Sequence, residues 1–134
     1  MRVTRVNTAA LRSAAEPVPA AKAFQHDPYA GMNRLEAAYA RHLDDLRTLG
    51  EIAAWRFAPI KLRLADRTYY TPDFLVLLQS GHIEFHETKG WMRDDANVKL
   101  KVAAEQFRWF RFVLVTKRKR EWRIHPVRNE MEKA

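Results

Sequence analysis

Residues 82–89 read His-Ile-Glu-Phe-His-Glu-Thr-Lys. Side chains alternate faces along a strand, so Ile83, Phe85, Glu87 and Lys89 share one face. An apolar, core-facing row therefore ends in a carboxylate and an ammonium. Such charges destabilise a buried row unless they pair or hold a metal. The preceding run has the same character. Tyr70-Thr71-Pro72-Asp73 leads into Phe74-Leu75-Val76-Leu77-Leu78. Asp73 thus sits at the mouth of an apolar strand, beside a proline that cannot donate to a ladder. A hairpin around Ser80-Gly81 sets Asp73 and Glu87 at similar distances from the turn, so that their carboxylates converge. Two converging carboxylates with a lysine beside them suit a hard, oxygen-ligated cation such as Mg²⁺ or Mn²⁺. A structural Asp–Lys or Glu–Lys pair satisfies the same spacing.

These groups need elements to position them. Asn33 has the form of an N-cap, with Glu36 three residues on. The spacing predicts a helix over residues 34–49, with Leu35, Ala38, Tyr39, His42, Leu43, Leu46 and Leu49 as its apolar stripe and Gly50 as its stop. Strands are expected over 52–57, 60–64, 69–78 (interrupted at Pro72) and 82–89, with turns at Asp66-Arg67 and Ser80-Gly81. A second helix is expected over 97–109, with Val98, Val102, Ala103 or Ala104, and Phe107 on one face. Asp94 and Asp95 would cap it near Asn97. Strands over 112–116 and 121–125 complete an α/β domain with a mixed sheet.

Composition bounds the function. The chain has 134 residues, 47% of them hydrophobic, which suits one packed domain and excludes wholesale disorder. It has no cysteine, so disulfides, thiolate zinc sites and thiol nucleophiles are excluded. No apolar run approaches the length of a membrane span, and no secretory signal is expected at the N-terminus. The 24 Lys+Arg residues against 16 Asp+Glu give a net charge of +8, the sign expected for a polyanion-binding protein.

The excess is concentrated. Between Lys99 and Arg128 lie ten basic residues and two acidic ones, and the rest of the chain balances. Phe107, Trp109, Phe110, Phe112 and Trp122 alternate with these cations. A solvated basic face over a core face accounts for the pattern, and so does a nucleic-acid surface. Lys117, Arg118, Lys119 and Arg120 form a turn that would meet a phosphate backbone without reading sequence. Lys99 and Lys101 point in different directions on a helix, and one of them is expected to face the site and contact DNA backbone.

Other residues are secondary. Tyr70 is expected to pack, and Trp91 either stacks on a base or packs as a lid. His82, His86 and His125 are spaced too irregularly for zinc, and His86 is expected on an outward surface or interface. Residues 1–30, broken by Pro17, Pro19 and Pro28, read as an arm that is flexible or packed on a partner, with a short helix possible over 8–15. Residues 129–134 read as a tail.

Pro72-Asp73 followed by Glu87-Thr88-Lys89, with Glu36 on an upstream helix, resembles the PD-(D/E)XK nuclease superfamily over about residues 32–125. The strings YTPDF and ETKG are similar to those of phage-encoded endonucleases of the junction-resolvase type, and of the nuclease subunit of two-component transposases. The motif is short. Its context adds weight: a helix, a hairpin with charges at its open end, Gly90 after the lysine, then a basic helix.

The resemblance implies a restriction-endonuclease-like αβββαβ core and a Mg²⁺- or Mn²⁺-dependent endodeoxyribonuclease, directed by DNA structure or by a protein partner. It implies that Asp73, Glu87 and the Thr88 carbonyl hold the metal. Glu36 would hold the metal or a metal-bound water, and Lys89 would orient or help deprotonate the attacking water. It further implies the cytoplasm of a bacterial or phage-infected cell. Two alternatives are a catalytically inactive nucleic-acid-binding module and a subunit of a larger recombination or transposition complex. A homodimer is expected where two strands are cut together, with Val3, Val6, Leu11, Val18 and Phe24 of the arm laid across the partner.

Overall fold

Asn33 opens the first helix, α1 (Arg34–Thr48), through a reciprocal cap. Its side chain accepts from the Glu36 N–H at 2.8 Å, and Glu36 Oε1 accepts from the Asn33 N–H at 3.2 Å. Gly50, in the left-handed region at φ +77°, turns the chain out of the helix. The computed structural model describes residues 27–90 and 94–127, with the backbone alone of 94–96. The chain divides after Ala30, and every element named here belongs to the second unit. Residues 1–26 of the expected arm, with its helix over 8–15 and its apolar dimer residues, lie outside the described residues, as do Trp91, Arg128 and the tail.

The architecture is mixed α/β. Five strands, β1 (Ile52–Phe57), β4 (Phe74–Leu78), β5 (Ile83–Lys89), β6 (Arg111–Arg118) and β7 (Glu121–Pro126), form one sheet in the order β1-β4-β5-β6-β7. Neighbours are antiparallel except β5 and β6. That parallel pair needs a crossover, supplied by α2 (Asp94–Gln106). β2 (Leu62–Ala65) and β3 (Thr68–Tyr70) form a separate hairpin. Among the described residues no helix is long and apolar enough to cross a membrane.

Helices cover both faces of the sheet. On one, Tyr39 of α1 meets Phe74 edge-on at 5.4 Å and Trp122 at 5.0 Å. On the other, Leu100, Ala103 and Ala104 of α2 pack with Phe85, Phe112 and the hairpin residues Leu62, Leu64 and Tyr70. Double coverage explains why β4 is apolar at every position, since an alternating strand suits only a sheet with one wet face.

Several expected boundaries move for physical reasons. The strand expected over 69–78 is two strands in two sheets, because Pro72 is fully buried and has no N–H to continue a ladder. The strand expected over 60–64 starts at Leu62. α2 starts at Asp94, so Asp94 and Asp95 lie within the helix rather than ahead of it. Its core stripe is Leu100, Ala103 and Ala104, continued by partly buried Phe107 one residue past its end. Val98 is 58% exposed, because the two alanines let the other side of the helix approach Phe85 and Phe112. Leu49 is the C-cap and lies outside the stripe of α1.

Three turns matter below. Gly81, at φ +88°, closes the β4–β5 hairpin, with its N–H on the Leu78 carbonyl at 3.0 Å. The two-residue turns Asp66-Arg67 and Lys119-Arg120 close β2–β3 and β6–β7, and hold Arg67 (φ +53°) and Lys119 (φ +58°) in the left-handed region.

Candidate active site

Phe74 pairs with His86 across β4 and β5, so the register carries Asp73 to Glu87 at the open end of the hairpin. The Asp73 N–H donates to Glu87 Oε2 at 3.2 Å, and the Tyr70 hydroxyl donates to the same oxygen at 2.7 Å. Asp73 Oδ2 accepts from the Thr88 N–H at 2.9 Å and from the Thr88 hydroxyl at 2.8 Å. Each carboxylate is thus held by one oxygen. Among the described residues no group bonds Asp73 Oδ1 or Glu87 Oε1.

Burial raises the pKa of Glu87 first, and the charge of Asp73 adds to the rise, so the carboxyl stands at about 7. Asp73 is also raised by burial, against the pull of the two Thr88 donors. Burial and the Glu87 charge together push the Tyr70 hydroxyl up, so it remains a proton donor. Two residues on, Lys89 is buried, and its Nζ has no hydrogen-bond partner among the described residues. A buried ammonium without a partner is costly. Its place beside two crowded carboxylates fits a site that binds both a cation and an anion.

Glu36 is half-buried in its capping box. Burial raises its pKa, the Asn33 N–H opposes the rise, and the Asp73 charge adds to it, so the two carboxylates feel each other. The capping role is therefore realised. Among the described residues no three His, Asp or Glu side chains gather as a metal cage. The structure brings Asp73, Glu87, Thr88 and Lys89 together and leaves Glu36 at the edge.

The donor set fits a hard divalent cation. It offers two carboxylates that repel each other, each with one oxygen fixed and the other presented. Mg²⁺ takes few protein carboxylates and completes its shell with water and substrate oxygens. Asp73 and Glu87 would hold it. When bound, such an ion lowers the pKa of water and stabilises charge on a phosphate.

His86 corrects an expectation. It is 6% exposed and not a surface residue, because α1 covers that face of the sheet. Its Nδ1 shares a hydrogen bond with the Tyr39 hydroxyl, and its Nε2 lies 3.1 Å from Glu84 Oε1. Glu84 also meets Arg111 at 3.4 Å, and its pKa is lowered chiefly by His86. Tyr70 packs in the α2-side core, as expected, and its hydroxyl also touches a candidate metal ligand. The signal for that contact was Pro72, which detaches β3 from the sheet and frees it to cross over Glu87. The hydroxyl of Thr88 was also missed. Lys99 and Lys101 are both exposed on α2, and Lys117, Arg118, Lys119 and Arg120 are all exposed around the β6–β7 turn.

Comparison with known proteins finds no matching family model, no matching curated protein and no matching solved structure.

Proposed function

We propose that the protein is a Mg²⁺- or Mn²⁺-dependent endodeoxyribonuclease that hydrolyses phosphodiester bonds in DNA on a restriction-endonuclease-like core. One observation carries the reading. Asp73 and Glu87 converge at the open end of a buried hairpin, with the unpartnered amine of Lys89 two residues further on. The order α1, β1, β4, β5, α2, β6 supports it, with β2–β3 as an insertion. Asp73 and Glu87 would hold the cation, and Tyr70 and Thr88 fix the orientation of both carboxylates. Lys89 would offset charge at the scissile phosphate and orient the attacking water. Glu36 would accept a hydrogen bond from a water at the rim. Lys89 pairs with Thr116 in the parallel ladder, so the cationic turn after β6 emerges at the same end of the sheet and can meet the flanking phosphates.

The test is cleavage of linear duplex, nicked duplex, flap, four-way junction and single-stranded DNA, with Mg²⁺ and with chelator. Metal-dependent cleavage of at least one substrate is expected. Asp73→Asn and Glu87→Gln should each abolish it while leaving DNA binding intact or tighter, because a repulsive carboxylate is gone. Full activity in both variants overturns the site. Binding without cleavage under every condition leaves a binding module or a subunit that needs its partner.

A further inference from the structure

The β2–β3 hairpin carries chemistry that the site does not use. Its inner face is spent on the fold and on the site: Leu62, Leu64 and Tyr70 join the α2-side core, and Tyr70 reaches Glu87. Its outer positions are Lys61, Arg63, Arg67 and Tyr69, all exposed, with Lys61 Nζ 4.3 Å from the centre of the Tyr69 ring. Packing explains none of these. Among the described residues the ion pairs are Arg47–Asp44, His86–Glu84 and Arg111–Glu84, so the hairpin cations are not neutralised. Arg67 occupies a left-handed turn position, where asparagine or glycine is the unstrained choice. The β6–β7 turn holds Lys119 in the same way. Both turns thus place a cation at their most projecting position.

Placement gives the charge a direction. The base of the hairpin is at the site: the Ala58 N–H donates to the Asp73 carbonyl at 2.7 Å, and Leu62 pairs with Tyr70. Lys61 therefore lies one residue from a partner of the site, and Arg63 follows two residues on, about 7 Å further along a strand. The β6–β7 turn lies beyond β5 and β6 in the sheet order, while the hairpin runs along α2, where the Gln106 amide donates to the Leu64 carbonyl at 3.0 Å. A phosphate backbone leaving the carboxylates along the hairpin would meet Lys61 first and then Arg63.

We propose that the outer face of β2–β3 is a second phosphate-binding track, separate from the β6–β7 turn, that holds the DNA backbone as it leaves the site along the hairpin from Lys61 toward Arg67. This rests on the nuclease reading and deepens it: the substrate backbone is held along the hairpin as well as at the carboxylates. The tip also carries exposed Asp66, so the hairpin residues Lys61, Arg63, Asp66 and Arg67 leave a net excess of two positive charges on this face.

The test measures binding without metal, so it is independent of cleavage. A fluorescein-labelled DNA duplex of about two helical turns is titrated by anisotropy across a range of salt, with full-length wild type and with Lys61→Gln/Arg63→Gln/Arg67→Gln. Each lost phosphate contact lowers the logarithmic salt slope by about 0.9, so a drop of roughly two to three is expected, with weaker affinity. Unchanged slope and affinity overturn the track. Arg67→Asn separates charge from folding. Asparagine accepts the left-handed turn, so its melting temperature should hold or rise while affinity falls. Affinity equal to wild type in Arg67→Asn removes the tip from the track. The expected drop in slope together with a wild type that cleaves nothing would overturn the autonomous nuclease and leave the track standing.

Discussion

Glu87 has the most to say at the scale of single residues. Its carboxyl stands at about 7 against an ordinary 4.5, from burial and then from Asp73. A raised carboxyl favours the fold in its protonated form. That stabilisation is complete below about 4.5 and is lost as pH rises through about 7. The metal-free protein should therefore melt at progressively lower temperature between about pH 5 and pH 8, relative to Glu87→Gln, which removes the titration. A bound cation requires the charged form, so binding below about 7 releases a proton, and Mn²⁺ affinity should rise by up to about tenfold per pH unit there. Calorimetry in two buffers of different ionisation heat reads that proton. Heats that agree between buffers at about pH 6 would remove Glu87 from the metal site. The pairing of Asp73 with Glu87 is legible from alternation and the turn at Ser80-Gly81 alone. The burial of His86 is not, because alternation says which residues share a face and not whether that face is covered.

At the scale of elements, α1 begins with a residue that has two tasks. Glu36 closes the capping box and faces the Asp73 charge. Glutamine also serves in a capping box, so Glu36→Gln keeps the cap and removes the charge. Its melting temperature should match wild type while metal-dependent cleavage falls. Glu36→Ala should lose stability as well, by about 1 kcal/mol. Wild-type cleavage by Glu36→Gln would assign the residue to the cap alone. The sequence signals α1, β1 and β5 well, because each has a clear period and a clear stop. It signals β2–β3 poorly. A proline inside an apolar stretch is equally compatible with one interrupted strand and with two strands in different sheets, and only packing against α2 decides. The start of α2 is ambiguous for a related reason, since Asp94, Asp95 and Asn97 all have the chemistry of a cap.

For the whole molecule, the site depends on the α2-side core, which it meets through Tyr70. Leu100 is 1% exposed in the cluster that also holds Leu62, Leu64 and Tyr70. Leu100→Ala should cost about 2–5 kcal/mol in thermal or urea unfolding. It should also weaken Mn²⁺ binding at temperatures where the variant is still folded, because the hairpin that presents Tyr70 loses its seat. Wild-type metal affinity in a destabilised Leu100→Ala would mean that the hairpin docks without α2. Mixed α/β class and strand-rich centre follow from the order of periodic segments. The covering of both faces becomes visible only when β4, apolar at every position, is taken together with two amphipathic helices.

The Ser80-Gly81 turn has a practical consequence. It is exposed and sits at the far end of the β4–β5 hairpin, seven residues from Asp73 and so roughly 20 Å from the carboxylates. The chain contains no cysteine. Ser80→Cys therefore gives the protein a single thiol, at a point where a fluorophore or a surface tether does not enter the site. The same turn is the place where a fused domain could be carried with least interference, at the end of the hairpin away from Asp73 and Glu87.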